Sequence, residues 1–350
     1  MIGIMSGSSI DGLDICFCAF EQAENGWKYR MPYAQTFEYS MEWKKKLREA
    51  ANASANSFVE LDKVLGEFIG YKALDFITAN QIEQVDFIAS HGHTVFHNPE
   101  NNYTAQIGSG AHIAAATNIP AITNFRLIDT ALGGQGAPLV PIGDELLFSD
   151  YDYCLNLGGY SNISYRSKGV RLAHDICPVN KAINHFAMKK SQEFDKDGEI
   201  GRRGKLIPEL LTELNQLEFY NSSGPKSLGD YWLNNVFLKV TQKYEESYPI
   251  FNIIRTIYEH IASQIAIATD HTNDKKILTT GGGAHNQFLT ECIRKQNRNR
   301  IIIPDDQLVD FKESLIFAFM GVLRAENKNN CLSSVTGAKH DNSGGVIHYI

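Results

Sequence analysis

The sequence predicts an α/β protein of two similar domains, and two strand–turn–strand units carry that expectation. One opens the chain at residues 2–20 and turns at 6–12, and the other occupies residues 153–165 and turns at 158–161. Short apolar runs on either side of a glycine-rich turn are typical of paired buried strands. The units begin about one domain length, roughly 150 residues, apart. We therefore expect domains at residues 1–150 and 151–312.

The segments between these units have the apolar periodicities of helices and of buried strands. We predict helices at 58–79, 181–192, 253–269 and 313–326, and strands at 85–90 and 276–280. Alternating strands and helices are typical of α/β domains. No Pro-rich or Ser-rich linker marks the domain boundary, which we place near 148–152.

The composition excludes several classes of protein. A chain of 350 residues with 43% hydrophobic residues, 19 Phe and 15 Tyr forms a packed core and is not a disordered polymer. Its net charge of -7 argues against a nucleic-acid partner, which requires a basic face. We see no cationic leader, no apolar run of bilayer length and no Cys-x-x-Cys pair among six cysteines. We therefore expect a cytoplasmic protein with reduced thiols and no membrane partner.

The turns of the two strand–turn–strand units have the chemistry of phosphate-binding loops. The first reads GIMSGSSIDGLD over residues 3–14, where glycine backbone amides and serine hydroxyls are donors for phosphate oxygens. Asp11 is suited to hold Mg²⁺ directly or through water. The second turn, NLGGYSN at 156–162, repeats this chemistry. The alternative for either turn is a hairpin rich in small polar residues.

Two further segments have alternative explanations. LTTGGGAHN at 278–286 leads from a strand through three glycines into a helix, which allows a flat ring to approach the backbone, or forms only a tight turn. HGHTVFH at 91–97 contains three histidines, which suit zinc, although neutral histidines lining a polar cleft fit better without a nearby Cys, Asp or Glu.

Each of four charged residues has two explanations, a contact with a ligand or a role in the fold alone. Arg126 has the planar fork that suits a carboxylate, or pairs with Asp129. Asp175 lies between a strand and a Pro-marked helix, where it acts as a base or caps the helix. Glu313 contacts a sugar or favours the dipole of the helix that it opens.

Taken in order, these motifs resemble the anhydro-N-acetylmuramic acid kinase family, within the superfamily of sugar kinases, Hsp70 and actin. The resemblance covers nearly the whole chain. The matching segments are GIMSGSSIDGLD (3–14), SHGHTVFH (90–97), GGQGAPLVP (133–141), NLGGYSN (156–162), PKSLG (225–229), TGGGAHN (280–286) and VTGA (335–338).

The resemblance implies two ribonuclease H-like domains around an interdomain nucleotide cleft, the first completed by residues of about 313–350. It implies ATP and Mg²⁺ as cofactors, a homodimer, and a reaction that opens the 1,6-anhydro bond of anhydro-N-acetylmuramic acid with water and phosphorylates O6, in peptidoglycan recycling. Asp175 matches the catalytic aspartate. The nucleotide and phosphate residues implied are Gly7, Ser8, Ser9, Ile10, Asp11, Gly12, Leu13, Asp14, Gly158, Gly159, Asn162, Gly281, Gly282, Gly283 and Asn286, with Asp11 also on the metal. The sugar residues are His91, His93, Asn124, Arg126, Asp129, Gln135 and Glu313.

This sequence departs from the family pattern at four places. The usual Asp-Thr-Gly-Pro-Gly-Asn is DICPVN at 175–180, the usual Asp-Phe-Arg begins with Asn124, the usual His-Gly-Gln-Thr has His93, and Ser8 replaces a Thr. An alternative is therefore a kinase of the same fold acting on a different sugar. Another is a catalytically silent nucleotide-binding switch, which the joint presence of Asp11, Asp175 and Glu313 argues against.

Overall fold

A computed structural model of the chain describes residues 1–7, 9–24, 26–222, 226–270 and 274–350. The strands are β1 (Ile2–Ser6), β2 (Gly12–Ala23), β3 (Gly26–Glu38), β4 (Ile88–Ser90), β5 (His93–Asn98), β6 (Tyr103–Ile107), β7 (Ala121–Thr123), β8 (Tyr153–Leu157), β9 (Tyr160–Ser167), β10 (Val170–Pro178), β11 (Lys276–Thr280), β12 (Arg300–Ile302) and β13 (Val346–His348).

The helices are α1 (Met41–Glu49), α2 (Ala55–Ala79), α3 (Gly110–Thr117), α4 (Leu127–Ala131), α5 (Pro141–Leu146), α6 (Asn180–Met188), α7 (Glu199–Arg202), α8 (Pro208–Asn215), α9 (Glu218–Asn221), α10 (Asp230–Trp232), α11 (Leu238–Gln242), α12 (Ile250–Ala268), α13 (Gln287–Gln296), α14 (Asp306–Ala325) and α15 (Ser333–Thr336). Short 3₁₀ turns occupy Ala50–Asn52, Pro99–Asn101, Lys196–Gly198 and Gly282–His285, and a π-helical turn occupies Leu233–Phe237.

The chain divides into two compact units. The first unit comprises Met1–Phe148 and Phe311–Ile350, and the second comprises Ser149–Asp310. The sequence-based boundaries at 150 and 312 lie two residues later in each case.

The sheet of the first unit has the order β13-β7-β4-β1-β2-β3. Strands β1, β2 and β3 are antiparallel neighbours, whereas β4 pairs in parallel with both β1 and β7. Strand β13 returns from the far end of the sequence and pairs antiparallel with β7. A separate hairpin of β5 and β6 completes the strands described for this unit.

The sheet of the second unit repeats this arrangement, in the order β10-β9-β8-β11-β12. Its first three strands, β8 to β10, are antiparallel neighbours, and β11 pairs in parallel with β8 and β12. Each unit therefore has three antiparallel strands followed by parallel strands on the other side of the first strand. The predicted α/β class of two similar ribonuclease H-like domains is confirmed.

Each sheet buries an apolar face against helices. In the first unit, Ile4 of β1, Ile69 of α2 and Ile113 of α3 belong to one fully buried cluster. In the second unit, Leu155 of β8 packs in a cluster with residues of α6, α8, α12 and α13. Such burial contributes roughly 25 cal/mol per Å² of apolar surface removed from water. The two cores hold the turns at the strand ends in place.

Most predicted elements are present with shifted ends, but α14 begins seven residues before the predicted start at 313. The Asp305 carboxylate accepts a hydrogen bond from the Leu308 amide at 2.8 Å, as an N-cap does. The sequence did not reveal this start because Lys312, a charged residue, interrupts the apolar pattern. In the structure Lys312 is buried and pairs with Asp144 at 2.6 Å. Glu313 therefore lies in the interior of α14, and the expectation that it serves the dipole of a first turn is wrong.

No helix of the described residues is long and apolar enough to cross a membrane. All six cysteines fall within the described residues, and each is buried and forms no disulfide.

Acidic pH is expected to destabilise the second unit through His260. Burial lowers the pKa of His260 to about 3, while its ring contacts Asn215 and Tyr220. An unfolded histidine takes up its proton near pH 6.5, so below that pH the unfolded state binds more protons than the folded state. The free energy of unfolding therefore decreases as the pH is lowered below 6.5. The loss reaches roughly 3 kcal/mol between pH 6.5 and 4.

Urea unfolding at several pH values measures this effect. The slope of the unfolding free energy against pH is expected to flatten in His260→Gln. It should stay unchanged in His340→Gln, which replaces an exposed histidine. Equal slopes in the wild-type chain and His260→Gln would contradict the assignment, whatever their absolute stabilities.

Candidate functional site

Hydrogen bonds among hydroxyl and imidazole groups support the turn after β1. Tyr39 donates its hydroxyl to Oγ of Ser6 at 2.9 Å, and that oxygen lies 3.2 Å from Nδ1 of His93. The Tyr39 amide donates to the carbonyl of Asp11 at 3.0 Å. Ile10 has a φ of 57°, a left-handed conformation that is strained for a β-branched residue. The protein thus maintains an unusual backbone at this turn.

Of the predicted phosphate residues 7–14, Ser9 and Asp11 are exposed, whereas Leu13 is fully buried in the core. Gly12 and Leu13 already belong to β2, so only their backbone is near the turn. Asp14 is half-buried and accepts a hydrogen bond from the Thr36 hydroxyl at 2.6 Å. Ser8 lies outside the described residues.

Asp11 and Asp14 are the carboxylates that this turn and the start of β2 offer to a metal ion. Among the residues that the structure describes, no group of three His, Cys, Asp or Glu could hold a metal by itself. Mg²⁺ usually keeps several waters and takes one or two carboxylates together with substrate phosphates. The Asp11 and Asp14 carboxylates fit that mode of binding, and the three histidines at 91–97 do not form a zinc centre.

Arg126 is oriented by two hydrogen bonds within the first unit. Its Nε donates to Nε2 of His91 at 2.9 Å and its Nη1 donates to the Gly136 carbonyl at 2.6 Å. Its Nη2 makes no hydrogen bond to another described residue. Burial lowers the pKa of Arg126 to about 10, with Glu313 the largest opposing influence. The guanidinium remains charged and keeps N–H groups for a ligand.

His91 is buried and has both ring nitrogens in use. Since Nε2 accepts from Arg126, Nδ1 carries the proton and donates to the Gly92 carbonyl at 2.8 Å. Burial first, and then the charge of Arg126, lower the pKa of His91 well below its usual value. The predicted sugar contact at His91 is therefore corrected: this residue is neutral and positions Arg126. His93 is also buried, and burial lowers its pKa.

Asp129 holds a loop together and has no exposed surface for a ligand. Its Oδ2 accepts from the Gly136 amide at 2.8 Å. Its Oδ1 accepts from the Thr336 hydroxyl at 2.8 Å and from Nδ2 of Asn342 at 2.9 Å. The prediction of a sugar contact at Asp129 is corrected to a structural role, and the alternative of a direct pair with Arg126 is replaced by these three bonds.

Around Asp129, the loop at 133–136 exposes Gln135, whose amide donates to the Thr336 carbonyl at 2.7 Å. Asn124 precedes Arg126 with a φ of 60°, a left-handed conformation that asparagine tolerates better than most residues. Both side chains remain candidates for ligand contact.

Glu313 reaches the same region from α14. Gly3 of β1 lies so close to Ser314 that a side chain at Gly3 would overlap the Ser314 carbonyl. This approach packs the segment of α14 that carries Glu313 against β1. Its side chain keeps access to solvent, but surrounding protein raises the pKa of its carboxyl, which Arg126 opposes and Asp14 reinforces. Arg126, Asp14 and Glu313 thus form one electrostatic group.

In the second unit, the turn at Gly158 and Gly159 is bonded to the start of α6. The Gly159 carbonyl accepts from the amides of Val179 at 2.9 Å and Lys181 at 3.2 Å. The Gly158 carbonyl accepts from the Asn180 amide at 3.2 Å. These bonds fix the turn against the end of β10.

Asp175 lies in β10, opposite Asn162 of β9, and a bulge follows it. Its Oδ2 accepts from the Leu228 amide at 2.7 Å, which is its only side-chain hydrogen bond to another described residue. Desolvation raises the pKa of its carboxyl, and the Leu228 amide opposes that rise. The alternative that Asp175 caps α6 is wrong, because Val179 occupies the cap position and no side chain caps that helix.

The third glycine motif packs against the second-unit turn. Gly281 has a φ of 84°, and a side chain there would overlap Oδ1 of Asn156. At Gly283, the added Cβ would lie 2.9 Å from Cβ of Leu157. Gly282 differs from both, because the nearest atom to an added Cβ is Nδ2 of Asn180, at 3.9 Å. Gly282 is therefore exposed and open to a ligand.

Asn286 serves the fold of the second unit. Its Oδ1 caps α13 by accepting from the Leu289 amide at 3.0 Å. Its Nδ2 donates to the Tyr258 hydroxyl at 2.7 Å and to the Asp195 carbonyl at 3.2 Å. Both amide protons are used within the unit, and Asn286 is half-buried, so the nucleotide contact at Asn286 stays a prediction beside this structural role.

Sequence reasoning missed the segment that supports Asp175. Besides the Leu228 bond, the Asp175 amide donates to the Lys226 carbonyl at 2.9 Å. Asp230 accepts from the Tyr160 hydroxyl at 2.7 Å and pairs with Lys181. The segment PKSLG at 225–229 stood out in the sequence without an assigned role. Pro225 lies outside the described residues.

The family match and the curated relatives both cover nearly the whole chain. The profile of the anhydro-N-acetylmuramic acid kinase family matches residues 1–350. The anhydro-N-acetylmuramic acid kinase of Aliivibrio fischeri is 33% identical over 367 residues, covering 99% of this chain and 98% of its own. That of Actinobacillus pleuropneumoniae serotype 7 is 31% identical over 366 residues, with coverage of 99% and 98%. A solved structure, the Clostridium difficile activator of 2-hydroxyisocaproyl-CoA dehydratase with bound ADPNP, has 13% identity, a TM-score of 0.44 and coverage of 94% and 98%.

Valine substitutions at Gly281 and Gly282 are expected to differ in stability. Gly281→Val forces a left-handed φ on a β-branched residue and overlaps Asn156, so it should lower stability by roughly 2 kcal/mol or more. Gly282→Val meets open space and should unfold near the wild-type temperature. Differential scanning calorimetry measures both, and a matching loss of stability in the two variants would contradict the described backbone.

Proposed function

This chain belongs to the anhydro-N-acetylmuramic acid kinase family, and from that premise we propose that it converts 1,6-anhydro-N-acetylmuramic acid, water and ATP into N-acetylmuramic acid 6-phosphate and ADP. The family is one of sugar kinases, so a sugar and ATP are its substrates. Opening of the anhydro bond in the same turnover is the finer part of the proposal.

The observation that carries the proposal is the state of Asp175. Its carboxyl is half-buried, has a raised pKa and receives one amide hydrogen bond on Oδ2. A desolvated carboxylate is a stronger base than one in water, which suits proton abstraction from a water molecule. The Leu228 amide holds its orientation.

The chemistry is a coupled displacement. Asp175 takes a proton from water, and the water oxygen bonds to the anomeric carbon as the bond from that carbon to O6 breaks. The electron pair released on O6 forms the new bond to the γ-phosphorus, and the bond from that phosphorus to ADP breaks. A base that acts on water opposite a leaving oxygen resembles inverting glycosidases.

Within each unit, the glycine-rich turn is the candidate for phosphate contacts, and in the second unit the exposed face at Gly282 is the candidate for adenosine. In the first unit, the Ser9 hydroxyl and the backbone amides of Gly7, Ser9 and Asp11 are the proposed donors, since the Ile10 amide donates to the Gly7 carbonyl. Asp11 and Asp14 would hold Mg²⁺, which when bound supplies charge neutralisation on the phosphates. Because transfer of a phosphoryl group depends chiefly on positioning and charge, preformed turns favour it.

The sugar is assigned to the first unit. Arg126 keeps N–H groups of its Nη atoms for a carboxylate, which the lactyl group of muramic acid carries. Glu313, Gln135 and Asn124 are polar side chains with access to solvent in the same unit. His91 and Asp129 act through Arg126 and its loop.

The departures from the family pattern at 176–179 support the same sugar. At these positions the second unit buries the side chains of Ile176, Cys177, Pro178 and Val179. These departures therefore change residues of its interior. His93 is buried as well, so among the departures at residues that the structure describes, Asn124 has access to a ligand. We also propose a cytoplasmic location and a homodimer, and light scattering after size-exclusion chromatography tests the dimer.

The decisive experiment is a coupled ADP-release assay with Mg-ATP. It compares anhydro-N-acetylmuramic acid, N-acetylmuramic acid, N-acetylglucosamine and no sugar. The expected result is release that requires the anhydro sugar, with a ring-opened 6-phosphate identified by mass spectrometry. Release with another sugar alone would overturn the substrate, and ATP binding without turnover would favour a silent nucleotide switch.

Asp175→Asn is expected to abolish turnover, with a loss of at least about a hundredfold, because the amide cannot accept the water proton. ATP affinity measured by calorimetry should stay within about twofold. The matched control is Asp274→Asn, which removes an exposed carboxylate of the same unit. Parallel losses of rate and of ATP affinity in Asp175→Asn would exclude the role of base.

Gly282→Val is expected to weaken ATP binding about tenfold or more, since its side chain occupies the face assigned to adenosine. Stability should remain at the wild-type level for the reason given above. Titration of the folded variant with adenosine and with ATP measures the effect. Unchanged affinity for both ligands would show that adenosine binds elsewhere.

A further inference from the structure

The start of α6, beside the turn at Gly158–Gly159, offers fewer free amides to a phosphate than a helix N-terminus ordinarily does. A helix N-terminus ordinarily presents unpaired amides to an anion. Here the amides of Val179, Asn180 and Lys181 donate to the carbonyls of Gly158 and Gly159. The start of α6 is therefore occupied by bonds within the unit.

The side chains around this turn are also committed. Ile176, Cys177 and Val179 are buried in the apolar core and present no hydroxyl or amide outward. Nδ2 of Asn180 donates to the Leu157 carbonyl at 3.2 Å. Besides the turn's own amides, a positive charge to neutralise a phosphate here has to come from another side chain.

Lys181 is placed to supply it. Its side chain runs along Gly159, with Cγ 3.1 Å from where a Cβ of that glycine would stand. Its ammonium lies 5.1 Å from the ring centre of Tyr160 and pairs with Asp230, which also accepts from the Tyr160 hydroxyl at 2.7 Å. The cation thus lies directly over the turn.

The pair between Lys181 and Asp230 is weak enough to exchange. The Lys181 side chain is 40% exposed and that of Asp230 is 64% exposed. Exposed ion pairs contribute ~1 kcal/mol or less, whereas a lysine bonded to phosphate gains a charge-assisted contact. Asp230 therefore keeps the Lys181 ammonium near the turn, and breaking this weak ion pair requires little free energy.

The neighbouring cation Lys226 is committed elsewhere. Its ammonium donates to the carbonyls of Phe219 at 3.0 Å and Ser222 at 3.2 Å and lies 4.6 Å from the ring centre of Phe219. Lys226 therefore stabilises the segment that supports Asp175. Of these two lysines, Lys181 is the one that lies against the glycine turn.

We propose that Lys181 is a phosphate-binding residue of this turn, and that Asp230 is its counter-ion when no nucleotide is bound. The inference rests on the proposed function, because it assigns the phosphate chain of ATP to this turn. Lys181 donates N–H groups to phosphate oxygens after leaving Asp230, and the stem along Gly159 fixes where those donors lie.

Isothermal titration of the full chain with Mg-ATP, Mg-ADP and adenosine tests the assignment. Lys181→Met keeps the apolar stem and removes the charge, so ATP affinity should fall about tenfold or more while adenosine affinity stays within twofold. Lys181→Arg should retain most of the ATP affinity. Asp230→Asn frees the lysine, so ATP affinity should be equal to that of the wild type or higher.

Substituting each partner of the ion pair in turn distinguishes a phosphate contact by Lys181 from a purely structural ion pair. If the pair only holds the turn, Lys181→Met and Asp230→Asn break the same bond and should weaken ATP and adenosine alike. That result would overturn the inference, as would ATP binding by Lys181→Met at wild-type strength. Melting temperatures of both variants identify any loss of folding, and Lys181→Arg then provides the comparison.

The wild-type titration distinguishes the two levels of the proposal. Failure of the wild-type chain to bind ATP would overturn the proposed function and this inference with it. Wild-type ATP binding that is insensitive to the charge at Lys181 would overturn the inference alone.

Discussion

The bonds between the Gly158–Gly159 carbonyls and the first amides of α6 are the constraint on which the second unit's chemistry depends. They satisfy amides that a helix start would otherwise leave unpaired, and they fix the turn between β8 and β9 against the end of β10. Asp175 precedes this junction and Lys181 follows it. One set of backbone bonds therefore places both the carboxylate and the cation.

Much of the fold could be predicted from the sequence because its central strands are buried. The apolar runs of β1, β8 and β11 and the helix α12 are evident from periodicity, and β11 has the predicted bounds. Strand β3 was missed because its side chains are mostly exposed or half-buried and give no apolar run. The start of α14 was missed because a buried ion pair, between Lys312 and Asp144, interrupts its apolar pattern.

The candidate site was less predictable, because side-chain partners distant in sequence decide the roles. The residue types at Arg126, Asp175 and Glu313 indicated charge near a ligand, and the structure gives each of them access or a shifted pKa. Nothing local to Asp129 reveals that Thr336 and Asn342 satisfy its carboxylate. Polar residues that look alike in sequence thus divide into those that keep polar groups accessible and those whose polar groups are used within the fold.

The network of Asp129 also orders events during synthesis. The first unit completes its sheet and this network only when residues 336–348 have left the ribosome, because β13 and the partners of Asp129 lie there. The second unit is continuous from Ser149 to Asp310 and holds all its strands earlier. The first unit joins the two chain ends that flank the second, because the Lys312 ammonium lies 5.2 Å from the ring centre of Phe148. A folded second unit shortens the effective loop between them and lowers its entropic cost. The unit that begins the chain is thus the last to close.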